Sequence, residues 1–384
     1  MSARSLDLLE RLIAFPTVSS ASNRELVSYV VAFLAERGVE AMLVPNADGT
    51  KANLFATIGP RDKGGVMLSG HTDVVPVEGQ AWTGDPFRLR EEGGRLLGRG
   101  TTDMKGFLAC ALAAADRAAR MELAVPLHLA FSYDEEIGCV GVRGLLDALA
   151  RAPFRPEMAI IGEPTSMRIA TGHKGKTALR ALCCGREAHS ALAPTALNAI
   201  HLAADYVEKI RARQALYADR GARDTAYDVP YTTFHVGRIQ GGTALNIVPN
   251  ACTLELEFRN LAQDDPATLL AELEADAEAV ARPWKAEFPE AAVRLEATNS
   301  YPGLATGDDE PVVAFAQSLT GANARIKLAF GTEGGLFRTR LSIPTVVCGP
   351  GSMDQGHKPD EWVSKDQIAA CDSFMDALLA RLAA

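Results

Sequence analysis

Five residues in this chain combine ligating chemistry with a loop setting: His71, Asp103, Glu136, Glu163 and His357. His71 stands in Ser69-Gly70-His71-Thr72-Asp73, directly after the apolar run Val66-Met67-Leu68, so it falls at the carboxyl end of a buried strand. Asp103 lies in the glycine-rich turn Gly98-Arg99-Gly100-Thr101-Thr102-Asp103-Met104-Lys105-Gly106, ahead of a helix-like segment. A histidine with a nearby carboxylate, plus a carboxylate from a second loop, is the start of a metal site. Three acids follow an apolar run in Tyr133-Asp134-Glu135-Glu136-Ile137-Gly138, where a solvated turn is the ordinary meaning. Glu163 follows another apolar run in Gly162-Glu163-Pro164-Thr165, and His357 sits in a loop over residues 345–359. Two imidazoles and three carboxylates suit hydrolytic zinc, and two ions sharing a carboxylate suit amide cleavage. Glu135, left free of metal, would then act as general base and hand its proton to the leaving amine.

Such residues need elements to bring them together, and the apolar spacing supplies those elements. Residues 4–14 and 24–37 have helical periodicity, Val39–Val44 and Asn53–Ile58 alternate as strands, and Lys105–Arg120 is an alanine- and leucine-rich helix. Strands are predicted over Leu127–Ser132 and Glu157–Ile161, so His71, the Glu135-Glu136 pair and Glu163 all fall just past strand ends. Strands alternating with helices imply a largely parallel α/β sheet, which binds ligands outside the carboxyl ends of its strands. From about residue 176 the pattern changes to strand Thr177–Cys184, helix Thr195–Arg213, strands Thr232–Ile239 and Ala251–Arg259, helix Pro266–Val280 and strand Ala292–Thr298. This βαββαβ order is the ferredoxin-like unit. Helix Glu310–Leu319, strands Arg325–Phe330 and Thr345–Cys348, and a last helix from Ser364 to about Ala383 resume the first pattern. The expected organisation is a discontinuous domain of residues 1–175 and 299–384, interrupted by an inserted domain of residues 176–298.

Composition narrows the function classes. With 384 residues, 47% of them hydrophobic, the chain can bury a large core. A formal net charge of −9 and no long basic run argue against nucleic acid as the main partner and leave small molecules. No apolar run approaches the roughly 18 residues of a membrane span, and the first ten residues carry acids where a secretory signal would be apolar, so the expected location is cytoplasmic. Seven cysteines, mostly in apolar segments, read as reduced buried thiols. The segment Ala170–Thr177 nearly spells a phosphate-binding loop, but the alternation after Lys176 reads as a strand where that loop needs a helix.

Taken in order, the five motifs around His71, Asp103, Glu135-Glu136, Glu163 and Gly356-His357-Lys358-Pro359-Asp360-Glu361 resemble the M20 metallopeptidases. The wording of Tyr133–Arg143, Gly162–Met167 with Gly172–Gly175, and Gly331–Glu333 resembles the branch of acetylornithine deacetylases and succinyl-diaminopimelate desuccinylases, and most of all the deacetylases. The resemblance implies a zinc-peptidase-like catalytic domain with a mainly parallel mixed sheet, an inserted dimerisation or lid domain, and a homodimer. It implies two Zn2+ per chain, replaceable by Co2+, with His71 and Glu163 on one ion, Glu136 and His357 on the other, and Asp103 bridging. Asp73 would orient His71, Glu135 would be the base, and His189 would reach the partner's site to stabilise the oxyanion. The implied substrate is N2-acetyl-L-ornithine, with succinylated diaminopimelate or a wider range of N-acyl amino acids as the next readings. A binding protein that kept the fold and lost catalysis is a different class, disfavoured by the intact ligand set. Arg259 suits either a substrate carboxylate or a structural ion pair, and Asn246 and Thr332 would lie near the substrate by the same resemblance. His128, His173, His201 and His235 have no such neighbours and read as surface or hydrogen-bonded residues.

Overall fold

The computed structural model describes residues 1–321 and 324–383. They form two compact units: Met1–His173 with Leu304–Leu328 and Thr332–Ala384, and Lys174–Gly303 with Ala329–Gly331.

The first unit opens on α1 (Ala3–Ile13) and α2 (Arg24–Ala35). Ser2 caps α1 by accepting the Ser5 N–H, one of the donors a helix start leaves unpaired. Strands β1 (Ala41–Pro45), β2 (Ala52–Ile58) and β3 (Val66–His71) follow, then the short β4 (Arg90–Glu92) and β5 (Arg95–Leu97). Next come α3 (Lys105–Ala118), β6 (Leu127–Ser132), α4 (Val142–Ala150), β7 (Met158–Ile161) and β8 (Ile169–His173). Alanine dominates α3 because it is buried on nearly every side, packed between α1, the sheet and a C-terminal helix. The P-loop-like wording at residues 170–177 does not lead into a helix, since β8 runs straight toward another strand.

That strand, β9 (Gly175–Cys184), begins the second unit. After it come α5 (Ala199–Arg220), β10 (Thr233–Gly241), β11 (Ala251–Asn260), α6 (Pro266–Ala281) and β12 (Ala292–Tyr301). The four strands are antiparallel in the order β10-β11-β9-β12. Alternate residues of β9, among them Leu179, Ala181 and Cys183, turn inward onto Leu202, Tyr206, Leu269 and Leu273 of the two helices. Helix α5 starts four residues later than the apolar spacing suggests. Ser190–Thr195 forms a 3-10 turn containing Pro194, and the Asn198 side chain caps the α-helix through Ile200 N–H at 2.9 Å.

The chain then completes the first unit with β13 (Leu304–Ala305), α7 (Pro311–Thr320), β14 (Arg325–Leu328), α8 (Gly334–Leu341), β15 (Thr345–Val347), β16 (Trp362–Ser364) and α9 (Lys365–Leu382). Among the described residues its main sheet runs β1-β2-β6-β3-β7-β15-β8-β13, with β14 also paired to β8. Neighbours β6, β3, β7 and β15 are mutually parallel, so four consecutive strands end at one edge. The remaining pairs are antiparallel except β8 with β14, which makes the sheet mixed with a parallel centre. Helices α4 and α8, strand β8 and the three-stranded sheet β16-β5-β4 have no counterpart in the sequence reading. Among the described residues all seven cysteines are free, and no helix is long and apolar enough to cross a membrane.

Candidate metal centre

The parallel centre of the sheet explains why distant residues meet. His71 ends β3, Glu135 and Glu136 follow β6, Glu163 follows β7, and the chain leaving β15 leads to His357. Gly162 is required just before Glu163, because a Cβ there would sit 2.0 Å from the Phe107 ring of α3. His357 has φ 59, the left-handed region, which turns its ring back over the site.

His71 is 1% exposed. Its Nδ1 lies 2.9 Å from the Asp73 carbonyl oxygen, which as acceptor leaves the Nε2 lone pair facing the acids. That Nε2 is 3.0 Å from Asp103 Oδ1 and 3.5 Å from Glu163 Oε1. The other Asp103 oxygen, Oδ2, lies 3.0 Å from His357 Nε2, which is itself 3.1 Å from Glu136 Oε2. One carboxylate is thus shared between two imidazoles, one oxygen to each. The His357 side chain is 44% exposed, so the centre is closed on the His71 side and open on the His357 side.

Asp73 supports this arrangement from below. Its carboxylate lies 3.6 Å from His71 Nδ1 and accepts hydrogen bonds from Ser19 Oγ at 2.7 Å, Glu135 N at 3.2 Å and Glu136 N at 3.3 Å. A single anion therefore backs the imidazole and pins the start of the Glu135-Glu136 turn.

The electrostatics describe a site overloaded with negative charge. Burial, then the nearby Asp103, pushes Glu163 well above the usual carboxylate range. Burial and Asp103 likewise push Glu136 up to about 7, with His357 opposing. Glu135 is raised by burial and by Glu136, Glu333 and Asp103, with His71 working the other way. Asp103 is held well below the carboxylate range, since its hydrogen bonds to His357 and His71 overcome burial. Those bonds raise His357 to about 10, and His71 is raised in spite of its burial by Asp103, Asp73 and Glu163. The donor atoms fit a metal. Those of His71, Asp103 and Glu136 lie within 4.8 Å of one another, and so do those of His71, Glu135 and Glu163. Ligands of a tetrahedral zinc stand about 3.4 Å apart, close to the 3.0–3.5 Å separations around His71. A divalent cation would also offset the repulsion that drives the carboxyls toward protonation.

The other candidates divide between the two units. His189, Asn246 and Arg259 belong to the second unit. His189 and Asn246 are exposed on adjoining backbone, where Ser190 N donates to the Asn246 carbonyl at 2.9 Å. Arg259 donates to Glu257 Oε1 at 2.8 Å and Tyr301 Oη at 3.1 Å, and it lines a 160 Å³ cavity with Lys174, Tyr227 and Thr233. Thr332 is fully buried in the first unit, where its N–H donates to His173 Nε2 at 3.3 Å.

Two neighbours escaped the sequence reading. The Cys139 thiol donates to Glu135 Oε1 at 3.3 Å, and its four-residue spacing from Glu135 was the available signal. Glu333 is 1% exposed, and burial pushes its carboxyl up to about 7, with Ser132 opposing. A lone acid at a helix start reads as a cap, which hid it.

A model described as peptidase family M20/M25/M40 matches residues 67–381. The chain is 33% identical over 383 residues to an acetylornithine deacetylase of Proteus mirabilis, covering 97% of this chain and 95% of that one. It is also 33% identical over 383 residues to an acetylornithine deacetylase of Photorhabdus laumondii, covering 97% and 96%. Among solved structures, an M20 family metallo-carboxypeptidase from Sulfolobus solfataricus superposes with TM-score 0.78 at 20% identity, over 99% of both chains. A dinuclear metal-binding M20 peptidase from Bacillus subtilis gives TM-score 0.70 at 16% identity, over 99% of this chain and 98% of that one.

Proposed function

The chain belongs to peptidase family M20/M25/M40 and is a metal-dependent amide hydrolase, and within that family we propose that it removes the acetyl group from N2-acetyl-L-ornithine, giving L-ornithine and acetate. The dinuclear part of this reading rests on Asp103, whose two oxygens each face a different imidazole at 3.0 Å. The choice of substrate rests on the acetylornithine deacetylases matched over nearly the whole chain.

His71 and Glu163 would hold one zinc ion, Glu136 and His357 the other, and Asp103 would bridge them, with cobalt able to substitute. Bound there, the ions supply Lewis acidity toward the acyl carbonyl and an easily deprotonated water. Asp73 keeps His71 in the tautomer that offers Nε2. Glu135 takes a proton from the attacking water and returns it to the leaving amine. The Cys139 thiol donates to Glu135 Oε1 and so helps to orient the carboxylate for that transfer. In a homodimer formed through the second unit, His189 would donate to the developing oxyanion of the partner's site. Arg259, Asn246 and Thr332 are the residues assigned to substrate binding. With that product the enzyme would serve arginine biosynthesis, and the acidic, helix-like start of the chain supports a cytoplasmic place for it.

The test is a parallel assay of N2-acetyl-L-ornithine, N-succinyl-diaminopimelate and N-acetylmethionine on protein of measured metal content, because the ratio of kcat/KM values is the specificity. The expected result is a clear preference for acetylornithine with about two ions per chain. A preference for the succinylated compound would overturn the substrate, and full activity in metal-stripped protein would overturn the mechanism.

A further inference from the structure

Behind Asp103, on the side away from the imidazoles, lies a buried charge pair that the proposed chemistry does not use. Glu361 is 1% exposed and Arg99 is fully buried. Glu361 Oε1 accepts three backbone N–H groups from one turn: Thr102 at 2.9 Å, Gly100 at 3.1 Å and Asp103 at 3.1 Å. Its Oε2 takes Arg99 Nη1 at 2.6 Å. Arg99 Nη2 in turn donates to Gln80 Oε1 at 2.5 Å, and the guanidinium lies 5.0 Å from the Trp82 ring centroid. Gln80 Nε2 donates to the His357 carbonyl at 3.0 Å, so the network touches both loops that meet at Asp103.

Three amides pointing at one spot repel one another unless an anion sits there. A buried carboxylate needs a counter-charge, and Arg99 provides it. With its own N–H committed to Glu361, the Asp103 backbone is oriented so that the side chain leaves toward His71 and His357. We propose that the Arg99–Glu361 pair is a positioning device that shapes the Gly100–Asp103 turn from behind and thereby presents Asp103 to the metal ions. The inference rests on the reading of Asp103 as the bridging ligand.

The experiment compares wild type, Glu361→Ala, the isosteric Glu361→Gln and the control Asp103→Asn. Hydrogen–deuterium exchange over residues 98–106 is measured on metal-free protein, and zinc affinity is measured by competition with a chromophoric chelator. Glu361→Ala should speed exchange of the Gly100, Thr102 and Asp103 amides at least tenfold and weaken zinc binding about 10- to 100-fold, the usual effect of losing a residue that supports a ligand. Glu361→Gln keeps an acceptor for the three amides but turns an NH2 toward Arg99 and loses that bond with the charge, so it should show a smaller shift than Glu361→Ala in the same direction. If Asp103→Asn loses zinc affinity while both Glu361 variants bind zinc as wild type does, the pair is structural only and the proposal is overturned. If Asp103→Asn itself binds zinc normally, the bridging role fails and takes the proposal with it.

Discussion

Replacing Asp73 by asparagine keeps the side-chain shape and removes its charge, and the geometry says what is lost. The asparagine NH2 group would settle at the Oδ2 position, because Ser19 Oγ, 2.7 Å away, can reverse from donor to acceptor. Glu136 N, now 3.3 Å from Oδ2, would then face a donor and lose its acceptor. His71 would lose the carboxylate 3.6 Å from Nδ1 and keep only the neutral carbonyl contact. Losing one hydrogen bond to a charged group in a buried site costs about 1.5–3 kcal/mol. At about 1.36 kcal/mol per factor of ten, that is roughly a 10- to 150-fold fall in kcat/KM if it is expressed in the transition state. The assay is steady-state hydrolysis of N2-acetyl-L-ornithine with metal content and Tm measured on the same preparation. A variant within twofold of wild type, with normal metal content, would refute the idea that Asp73 holds both the imidazole and the Glu135-Glu136 turn.

Glu135→Gln should lower kcat by about 10²–10⁴-fold, the range for a general base, while metal content stays unchanged; survival of turnover would remove Glu135 from that role. Chelation should abolish activity and lower Tm, since binding at a thousand times Kd stabilises by about 4 kcal/mol and its removal leaves Glu136, Glu163 and Asp103 uncompensated; restoration by added zinc or cobalt is the check. Burial holds His128 at about 4, below its ordinary 6.5, so its contribution to stability is complete above pH 6.5 and lost as pH falls toward 4. Denaturant titrations should therefore show wild type losing about 2 kcal/mol more than His128→Gln between pH 8 and pH 5; parallel pH profiles would contradict the assignment. Gly162→Ala puts a Cβ 2.0 Å from Phe107 and should cost about 3 kcal/mol, the upper end of the usual overpacking range, read as a drop in denaturation midpoint and loss of metal affinity through Glu163.

The sheet was legible because its central strands are continuous apolar runs ending in chemistry: β3 closes on His71, and β6 and β7 are followed within four residues by their acids. Helices α4 and α8 were not, because the first follows the acidic turn after only five residues and the second carries glycines and arginines that blur its apolar face. Strand β8 was hidden for another reason, since Ala170 and Gly172 lack the β-branched or aromatic side chains that mark a strand. Around the site, residue types and motif order pointed to His71, Asp103, Glu136, Glu163 and His357, and the structure links them in a row of contacts of 3.0–3.5 Å that runs from Glu163 through His71, Asp103 and His357 to Glu136. Cys139 offered only its four-residue spacing from Glu135 as a signal, and Glu333 was illegible because its meaning depends on burial, which spacing does not reveal.

Strand β15 comes from residues 345–347, yet it is wedged between β7, which ends at residue 161, and β8, which ends at residue 173, both finished by the ribosome long before it. At synthesis rates of about 5–20 residues per second, β7 waits roughly 10–35 seconds with one edge unpaired. That edge is Met158-Ala159-Ile160-Ile161, apolar and without a protecting charge, the kind of edge on which chains pair with one another. The second unit, encoded in the interval, has an apolar core and a sheet of its own, so it offers no strand to fill the gap. Chaperone dependence and aggregation of truncated chains should therefore centre on the β7 edge and vanish in chains long enough for β15 to emerge and pair with it.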